Sequence, residues 1–479
     1  MSGTYQDQIR ATLGDPRLQA AIYAASGRLM DHRRAAVAPE VLPDFQELRL
    51  QAHLIKQHTL DNLDYYLEQF EQQLLARGGH LVWARDAKDV AEFVLDLARR
   101  KQARLIVKSK SMTTEEIELL SRLEPQGLEI VETDLGEYII QLAGERPYHI
   151  VAPALHKTRE DVGELFSRRL GVERVSDPEK LTKIARAALR DKFLAADIGM
   201  SGANFLVADS GAVVLVENEG NARMSTSAPR IHVAVAGIEK MIPRAQDLAV
   251  FLKLLGRSAT GQPLTVYTSF LSGPRRAGEI DGPEEFYVVL LDNGRSRLLA
   301  DREKRQSLYC IRCGACLSHC PVYRKIGGHS YPWVYSGAIG AVITPQYQGL
   351  TEFPWLPFAS SLCGACGEVC PVRIELPKLL LDLRSEVQKA LSRQSVNRLE
   401  RLAFRLWAWV MCHPRIYEML GSVAAAAMPG EEAKDWPRRL PAWLMRGPLG
   451  AWFSQRDLPP WPERSFRQAW RARVRERSH

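Results

Sequence analysis

The sequence predicts an α/β domain with a mostly parallel sheet, then a compact cysteine-dense helical module, then a helical tail. Three observations carry this. Short apolar, β-branched runs alternate with helical patterns between about residues 80 and 295. Seven of the eight cysteines then fall into two short runs. Beyond them, the last 90 residues hold seven of the ten tryptophans and several prolines. The expected boundaries are residues 1–75 for an N-terminal helical segment, 76–295 for the α/β domain, 296–390 for the cysteine module and 391–479 for a Trp- and Arg-rich helical region.

Taken in order, residues 1–75 read as helical, with apolar residues of Asp61-Asn-Leu-Asp-Tyr-Tyr-Leu-Glu-Gln-Phe70 at helical spacing. Leu105 to Val107 reads as a buried strand. Thr113 to Leu123 reads as a helix, with Thr113 and Glu116 as a capping box. Ile130-Val131 and Ile150-Val151 are further strands. Phe205 to Val207 and Val213 to Val216 flank Asp209-Ser-Gly211, a turn joining two strands. Ile231 to Val235 adds another. In the module, helices are expected at Asp301 to Leu308 and Leu376 to Leu391. Between the cysteine runs, Gly327 to Pro357 is rich in Gly, Pro and aromatics. It is long for a structureless loop, and is expected to pack over the metal centres and exclude water. The tail reads as helices wrapping the module.

The first cysteine run is Cys310-Ile-Arg-Cys313-Gly-Ala-Cys316-Leu-Ser-His-Cys320-Pro321, and the second is Cys363-Gly-Ala-Cys366-Gly-Glu-Val-Cys370-Pro371. C-x-x-C-x-x-C-x-x-x-C-P is the spacing of a two-cluster iron–sulfur module. Three thiolates on a turn hold one cluster, and the proline-flanked cysteine reaches the other. The spacing predicts Cys310, Cys313, Cys316 and Cys370 as ligands of cluster I, and Cys320, Cys363 and Cys366 as ligands of cluster II. Zinc and disulfides are the alternatives. A zinc ribbon does not need four cysteines in one run and a second run with the same C-P ending. Disulfides do not suit a long chain without a secretory signal. Aligning the second run on the first puts Ser360 where Cys310 stands. Cluster II is thus either a [3Fe-4S] cluster or a [4Fe-4S] cluster with a serine, water or distant fourth ligand. Cys412, the remaining thiol, reads as a small buried apolar residue. Backbone N–H groups of Gly314, Ala315, Gly364 and Ala365 are the expected donors to sulfur.

A chain of 479 residues with 46% hydrophobic and 25% charged content has material for about three globular domains. The net charge of +8 is modest, and the arginines from Arg464 to Arg477 read as a solvated terminal helix rather than a nucleic-acid surface. The first residues lack a basic stretch followed by an apolar core, and no apolar run is long enough to span a bilayer. The expected location is the cytoplasm, with peripheral membrane contact through an electron acceptor left open.

Lys108-Ser-Lys110-Ser-Met112, Thr133-Asp-Leu-Gly-Glu137-Tyr, Ser201-Gly-Ala-Asn204-Phe, Asn218-Glu-Gly-Asn221, Cys310 to Cys316, and the closing Ser465-Phe-Arg467 with Trp470 together resemble the lactate utilisation protein B family. The resemblance runs over nearly the whole chain. It implies an N-terminal LUD domain, similar in fold to the ribose-phosphate isomerase and CoA-transferase group, joined to a helical two-cluster ferredoxin. It also implies an electron-transfer role in oxidising L-lactate to pyruvate beside two companion subunits, a cysteine-rich-motif protein and a smaller LUD protein. The seven motif cysteines carry over as cluster ligands, and the serine in the second run fits the family. On this reading the chain does not catalyse alone. Two other readings stay open: the same role for another 2-hydroxy acid such as glycolate, and a LUD binding or transferase domain with structural or sensory clusters.

Outside the cysteines, Lys108, Lys110 and Ser111 follow a strand and read equally as a carboxylate or phosphate holder and as a solvated basic turn. Asn204, Glu219, Asn221 and His232 sit beside strands and are candidates to line a pocket. Glu219-Gly is similar to the catalytic glutamate of CoA transferases, on one dipeptide only. His156, His232, His319 and His329 read first as ordinary core or surface histidines. No dinucleotide-binding, phosphate-loop or H-E-x-x-H motif is present.

Overall fold

The computed structural model describes residues 5–391, 398–427 and 464–477. The chain divides into two compact units, Met1–Ala390 and Leu391–His479.

The first unit opens with four helices, Tyr5–Leu13, Pro16–Ala36, Phe45–Asp61 and Leu63–Ala76. Asp15 starts the second by accepting the N–H groups of Arg17 and Leu18, and Pro16 takes the first helical position, where an N–H is not needed. Ten strands follow: β1 (His80–Ala84), β2 (Leu105–Lys108), β3 (Glu129–Glu132), β4 (Ile198–Ser201), β5 (Phe205–Val207), β6 (Ala212–Glu217), β7 (Ile231–Gly237), β8 (Met241–Ile242), β9 (Tyr267–Leu271) and β10 (Glu285–Leu291). Six form a wholly parallel sheet in the order β1-β10-β7-β4-β2-β3.

Both faces of its inner strands β7, β4 and β2 are buried, whereas edge strand β1 is largely exposed or half-buried, so the inner strands read as mostly apolar runs. The pleat still sorts them. Val233 and Val235 of β7 join the core that includes Val90, Val94 and Leu97 of helix Ala87–Lys101. Ala234 and Ala236 join the core that continues into the cysteine module. The smaller β8-β5-β6-β9 sheet has no counterpart in the sequence reading, although its β5–β6 hairpin does. Gly211 in that hairpin has φ 63°, and a Cβ there would lie 2.5 Å from the Leu74 nitrogen. Only glycine fits where the turn meets the fourth helix.

Three local expectations are corrected, and a fourth segment, read as long for a structureless loop, holds a helix. Ile150-Val151 is a bend, not a strand: Pro147 and Pro153 flank it, and His149 Nδ1 takes the N–H groups of Val151 and Ala152. Thr113 to Leu123 is two short helices, Met112–Glu116 and Leu119–Leu123, separated by Glu118 at φ 49°. Ser111 is the N-cap of the first, and Glu116 turns to Arg295, Tyr335 and Asn293 rather than to a capping box. Asp301 to Leu308 is not one helix. A helix at Arg295–Ala300 ends before it, and a tighter 3₁₀ turn covers Arg305–Tyr309. The long inter-run segment is not a structureless loop, because Gly337–Gln348 is a buried helix. Ahead of that helix, Tyr331, Trp333 and Tyr335 of the same segment are buried. The helix Leu376–Leu391 is present as expected.

In the second unit, three helices are described, Arg398–Cys412, Pro414–Ala427 and Phe466–Arg477. Glu418 of one pairs with Arg467 and Arg471 of another. Cys412 is exposed, against the expectation of a buried apolar thiol. Tail residues 428–463 lie outside the described residues. Among the described residues, no helix is long and apolar enough to cross a membrane.

Candidate iron–sulfur centre and an adjoining cavity

The two cysteine runs fold alike. In the first, Arg312 (φ 59°) precedes Cys313, and Gly314 (φ 74°) starts the one-turn helix Ala315–Ser318. In the second, Leu362 (φ 54°) precedes Cys363, and Gly364 (φ 87°) starts the helix Ala365–Glu368. Each left-handed pair turns the chain sharply, so that neighbouring cysteines face one point. In this register Ser360 occupies the place of Cys310, and its hydroxyl accepts the Leu362 N–H at 3.1 Å.

The thiols that act electrostatically on one another form two sets. Cys310, Cys313, Cys316 and Cys370 are one; Cys320, Cys363 and Cys366 are the other. Each proline-flanked cysteine therefore sits with the opposite run. The first set lines one small cavity walled by Ile150, Ile339, Ile374 and Leu376. Burial pushes Cys313 up to about 12 and Cys370 and Cys366 up to about 11. Exposed Cys363 is instead lowered by the Ala365 N–H and the Ser361 hydroxyl. Ala315 and Ala365 donate to sulfur as expected. Gly314 and Gly364 supply the turn, and Ile339 and Ile374 are donors that the motif did not reveal.

These residues fit iron–sulfur cubes better than single zinc ions. A tetrahedral zinc with bonds of about 2.3 Å needs sulfurs roughly 3.8 Å apart. Among the described residues, the trios of ligand atoms within 4.8 Å of one another contain no thiol. A buried polar orphan agrees. His149 Nδ1 accepts two backbone N–H groups, so its proton belongs on Nε2, which has no partner among the described residues. That ring lies against Gly314, where a Cβ would stand 3.0 Å from its Cε1.

The N-terminal helices and the α/β domain grip this module. Arg33 donates to the Val369 carbonyl (3.0 Å), and Arg49 donates to those of Cys370 (2.9 Å) and Gly367 (3.2 Å). Arg295, fully buried, bridges Glu116 and Glu239. Tyr335 donates to Glu116 at 2.7 Å, and Arg312 lies over the Tyr335 ring. Burial opposes the charge on Glu239, but Arg295, Lys240 and Arg312 hold its carboxyl down to about 2.

An open cavity of about 290 Å³ lies at the carboxyl ends of β2, β3 and β4, the usual place for a ligand in a parallel sheet. Lys110, Ser111, Asp134 and Asn204 line it, and Arg312 and Cys313 of the module complete it. Gly202 keeps it open, since a Cβ there would stand 2.8 Å from Ser111 Oγ.

The 4Fe-4S dicluster domain family matches residues 306–374, the LUD domain family matches 67–291, and the family of lactate utilisation protein B C-terminal regions matches 382–475. Proteins named lactate utilization protein B are similar along their length. That of Bacillus velezensis is 42% identical over 477 residues, covering 99% of this chain and 98% of its own. That of Bacillus licheniformis is 43% identical over 474 residues, covering 99% and 97%. The chain belongs to the lactate utilization protein B family. A solved DUF162 family protein from Deinococcus radiodurans covers 48% of this chain and 98% of its own at 12% identity, with a TM-score of 0.28. As in this family, the α/β unit is a LUD domain followed by a dicluster domain, and the cofactors are iron–sulfur clusters of the [4Fe-4S] type.

The remaining candidates separate clearly. Lys108 is neither a solvated turn nor a ligand holder. It is fully buried among Glu132 (2.7 Å), Glu115 (3.2 Å) and Glu137 (3.5 Å). Burial works against its charge, and these carboxylates hold its pKa above the ordinary lysine value. Lys110, Ser111, Asn204, Glu219 and Asn221 do meet in the LUD cavity. Glu219 is pushed up to about 7 by burial and by Asp134. His232 does not join them; it is a core histidine, bonded to Ser201 Oγ at 2.8 Å and stacked on Phe286. His319 holds the Ala315 carbonyl inside the first run. His156 and His329 meet Glu145 near Tyr148. Sequence reasoning missed Lys240, Arg312 and Asp134 in the cavity. Arg312 carried a signal in its place between two motif cysteines and Asp134 in the Thr133–Tyr138 motif, while Lys240 carried none.

Proposed function

We propose that this protein is the iron–sulfur electron-transfer subunit of a multi-subunit system that oxidises L-lactate to pyruvate. The supporting observation is the arrangement of the thiols: a buried quartet abutting the LUD cavity, and a second set that reaches the surface at exposed Cys363. Cys310, Cys313, Cys316 and Cys370 are the proposed ligands of cluster I, and Cys320, Cys363 and Cys366 those of cluster II. Bound clusters move electrons one at a time, and lactate oxidation releases two electrons and two protons. The chain's own residues bury cluster I, aim N–H donors at sulfur, and surround it with Arg33, Arg49 and Arg312, whose charges favour added electrons.

The companions are a cysteine-rich-motif protein and a smaller LUD protein, and the proposed location is the cytoplasm, with membrane contact only through the final acceptor. The full-length relatives are named for lactate, and this weighs against another hydroxy acid as the principal substrate. Reduction of the clusters by L-lactate in the presence of the companions, followed by electron paramagnetic resonance under anaerobic conditions, tests the role. Clusters that stay oxidised under those conditions would reject it.

A further inference from the structure

Burial and fixed charge act in opposite directions on the two proposed clusters. Each added electron brings a negative charge, which burial opposes and contact with water favours. Cys313, Cys316 and Cys370 are buried, whereas Cys363 of the second set is exposed. Burial alone would therefore send the first electron to cluster II.

The charged side chains reverse that order. Arg33 acts on Cys313 and Cys370, and Arg49 acts on Cys370. Lys56, Lys240 and Arg312 act on Cys310. All five side chains are buried. Little negative charge stands against them. Arg33 and Arg49 donate to backbone carbonyls, and Glu368, a carboxylate facing both, is exposed. Glu239 faces Lys56, Lys240 and Arg312 but is already held by Arg295. Charges in a dry interior are felt more strongly than charges in water. The second set has nothing comparable. Cys320, Cys363 and Cys366 feel burial, backbone N–H groups, the Ser361 hydroxyl and their own thiols, and no cation among the described residues. Within the shell, Lys56 is tied to the carbonyls of Glu239 and Met241. Lys240 is 8% exposed, and among the described residues its ammonium has no hydrogen-bond or ion-pair partner. Such a group is costly to bury unless a negative centre lies close by.

We propose that this cation shell makes cluster I the first of the two to be reduced, with Lys240 a positioning residue that acts on it by charge alone. An electron arriving at cluster II from the surface passes on to cluster I, which is reduced as cluster II is reoxidised. No bond forms or breaks and no proton moves in that step. The first electron rests in the interior, and cluster II stays free to exchange with the surface. This order rests on the cluster ligands assigned in the electron-transfer reading above, and not on lactate as the source of electrons.

The test is a dithionite titration of the anaerobically purified full chain with its clusters, followed by electron paramagnetic resonance against solution potential. The signals missing from Cys316→Ser and from Cys366→Ser assign cluster I and cluster II. In the unaltered protein the cluster I signal is expected to appear at the higher potential. Lys240→Met removes a charge without removing a hydrogen bond. At a fixed potential it should raise the oxidised-to-reduced ratio of cluster I by about tenfold, with cluster II and the iron content unchanged. Lys240→Gln should give the same shift, and Lys240→Arg should stay within about twofold of the unaltered protein, since it keeps the charge. Reduction of cluster II first would overturn the proposal. So would a Lys240→Met ratio equal to that of the unaltered protein, an equal shift of both clusters, or a Lys240→Arg shift as large as that of Lys240→Met. Cluster I filling first without reduction by L-lactate in the presence of companions keeps the order and rejects the lactate role. Lactate-driven reduction with cluster II filling first does the reverse.

Discussion

His149 shows how one side chain can serve a buried centre. Its Nδ1 is committed to two backbone donors, so Nε2–H lies at the Gly314 turn without an acceptor among the described residues. Replacing His149 with Phe is expected to keep both clusters and lower the midpoint potential of cluster I, because a donor to the reduced, more negative centre is lost. A redox titration followed by paramagnetic resonance checks this. Cys316→Ser should remove the cluster I signal and about half of the iron, since a thiolate gives way to a harder ligand. At the incomplete second centre, Ser360 is engaged by Leu362 and Cys412 is exposed. Ser360→Ala and Cys412→Ala are both expected to leave cluster II unchanged, with oxygen converting it to a three-iron form. Loss of cluster II in Cys412→Ala would show the corner closed by the tail. His232 gives a pH prediction. Burial lowers it to about 3 from an ordinary 6.5, so it stays neutral in the folded protein while the unfolded chain takes up a proton. Its contribution to stability is complete above about pH 6.5 and is lost as pH falls from there toward 3. His232→Gln should reduce the pH dependence of the unfolding midpoint between pH 6.5 and 5, and buried His149 and His156 contribute to what remains.

Among the elements, legibility followed amphipathicity and local contact. Leu376–Leu391 was readable because it buries one stripe, with Leu379, Leu380, Leu383 and Val387 inside. Gly337–Gln348 was not, because nearly all of it is buried and it has no polar face to set a period. The cysteine runs were legible because metal ligation fixes spacing within a few residues. Lys108 was not, because Glu132 and Glu137, which decide its role, come from β3 and the helix after it. Lys240 and Arg312 likewise meet only when the module docks on the sheet. Arg295, between the two, is the clearest test of that docking. Arg295→Met leaves Glu116 and Glu239 buried without their partner and is expected to cost about 3–5 kcal/mol. Denaturant unfolding of the variant measures it, and a change below about 1 kcal/mol would mean that the network does not hold the interface.

At the scale of the molecule, the parallel sheet, the N-terminal helices and the dicluster module share one continuous core. The LUD cavity and the buried thiols therefore border the same residues, Arg312 and Cys313. The proposed role requires that electrons from L-lactate reach the clusters of this chain. It is tested most directly by mixing the anaerobic protein with its two companion subunits and L-lactate and recording the paramagnetic resonance of both clusters. Reduced-cluster signals are expected to appear with L-lactate, to depend on the companions and to fail in Cys316→Ser. Clusters that remain oxidised in the complete mixture, while dithionite reduces them readily, would contradict it.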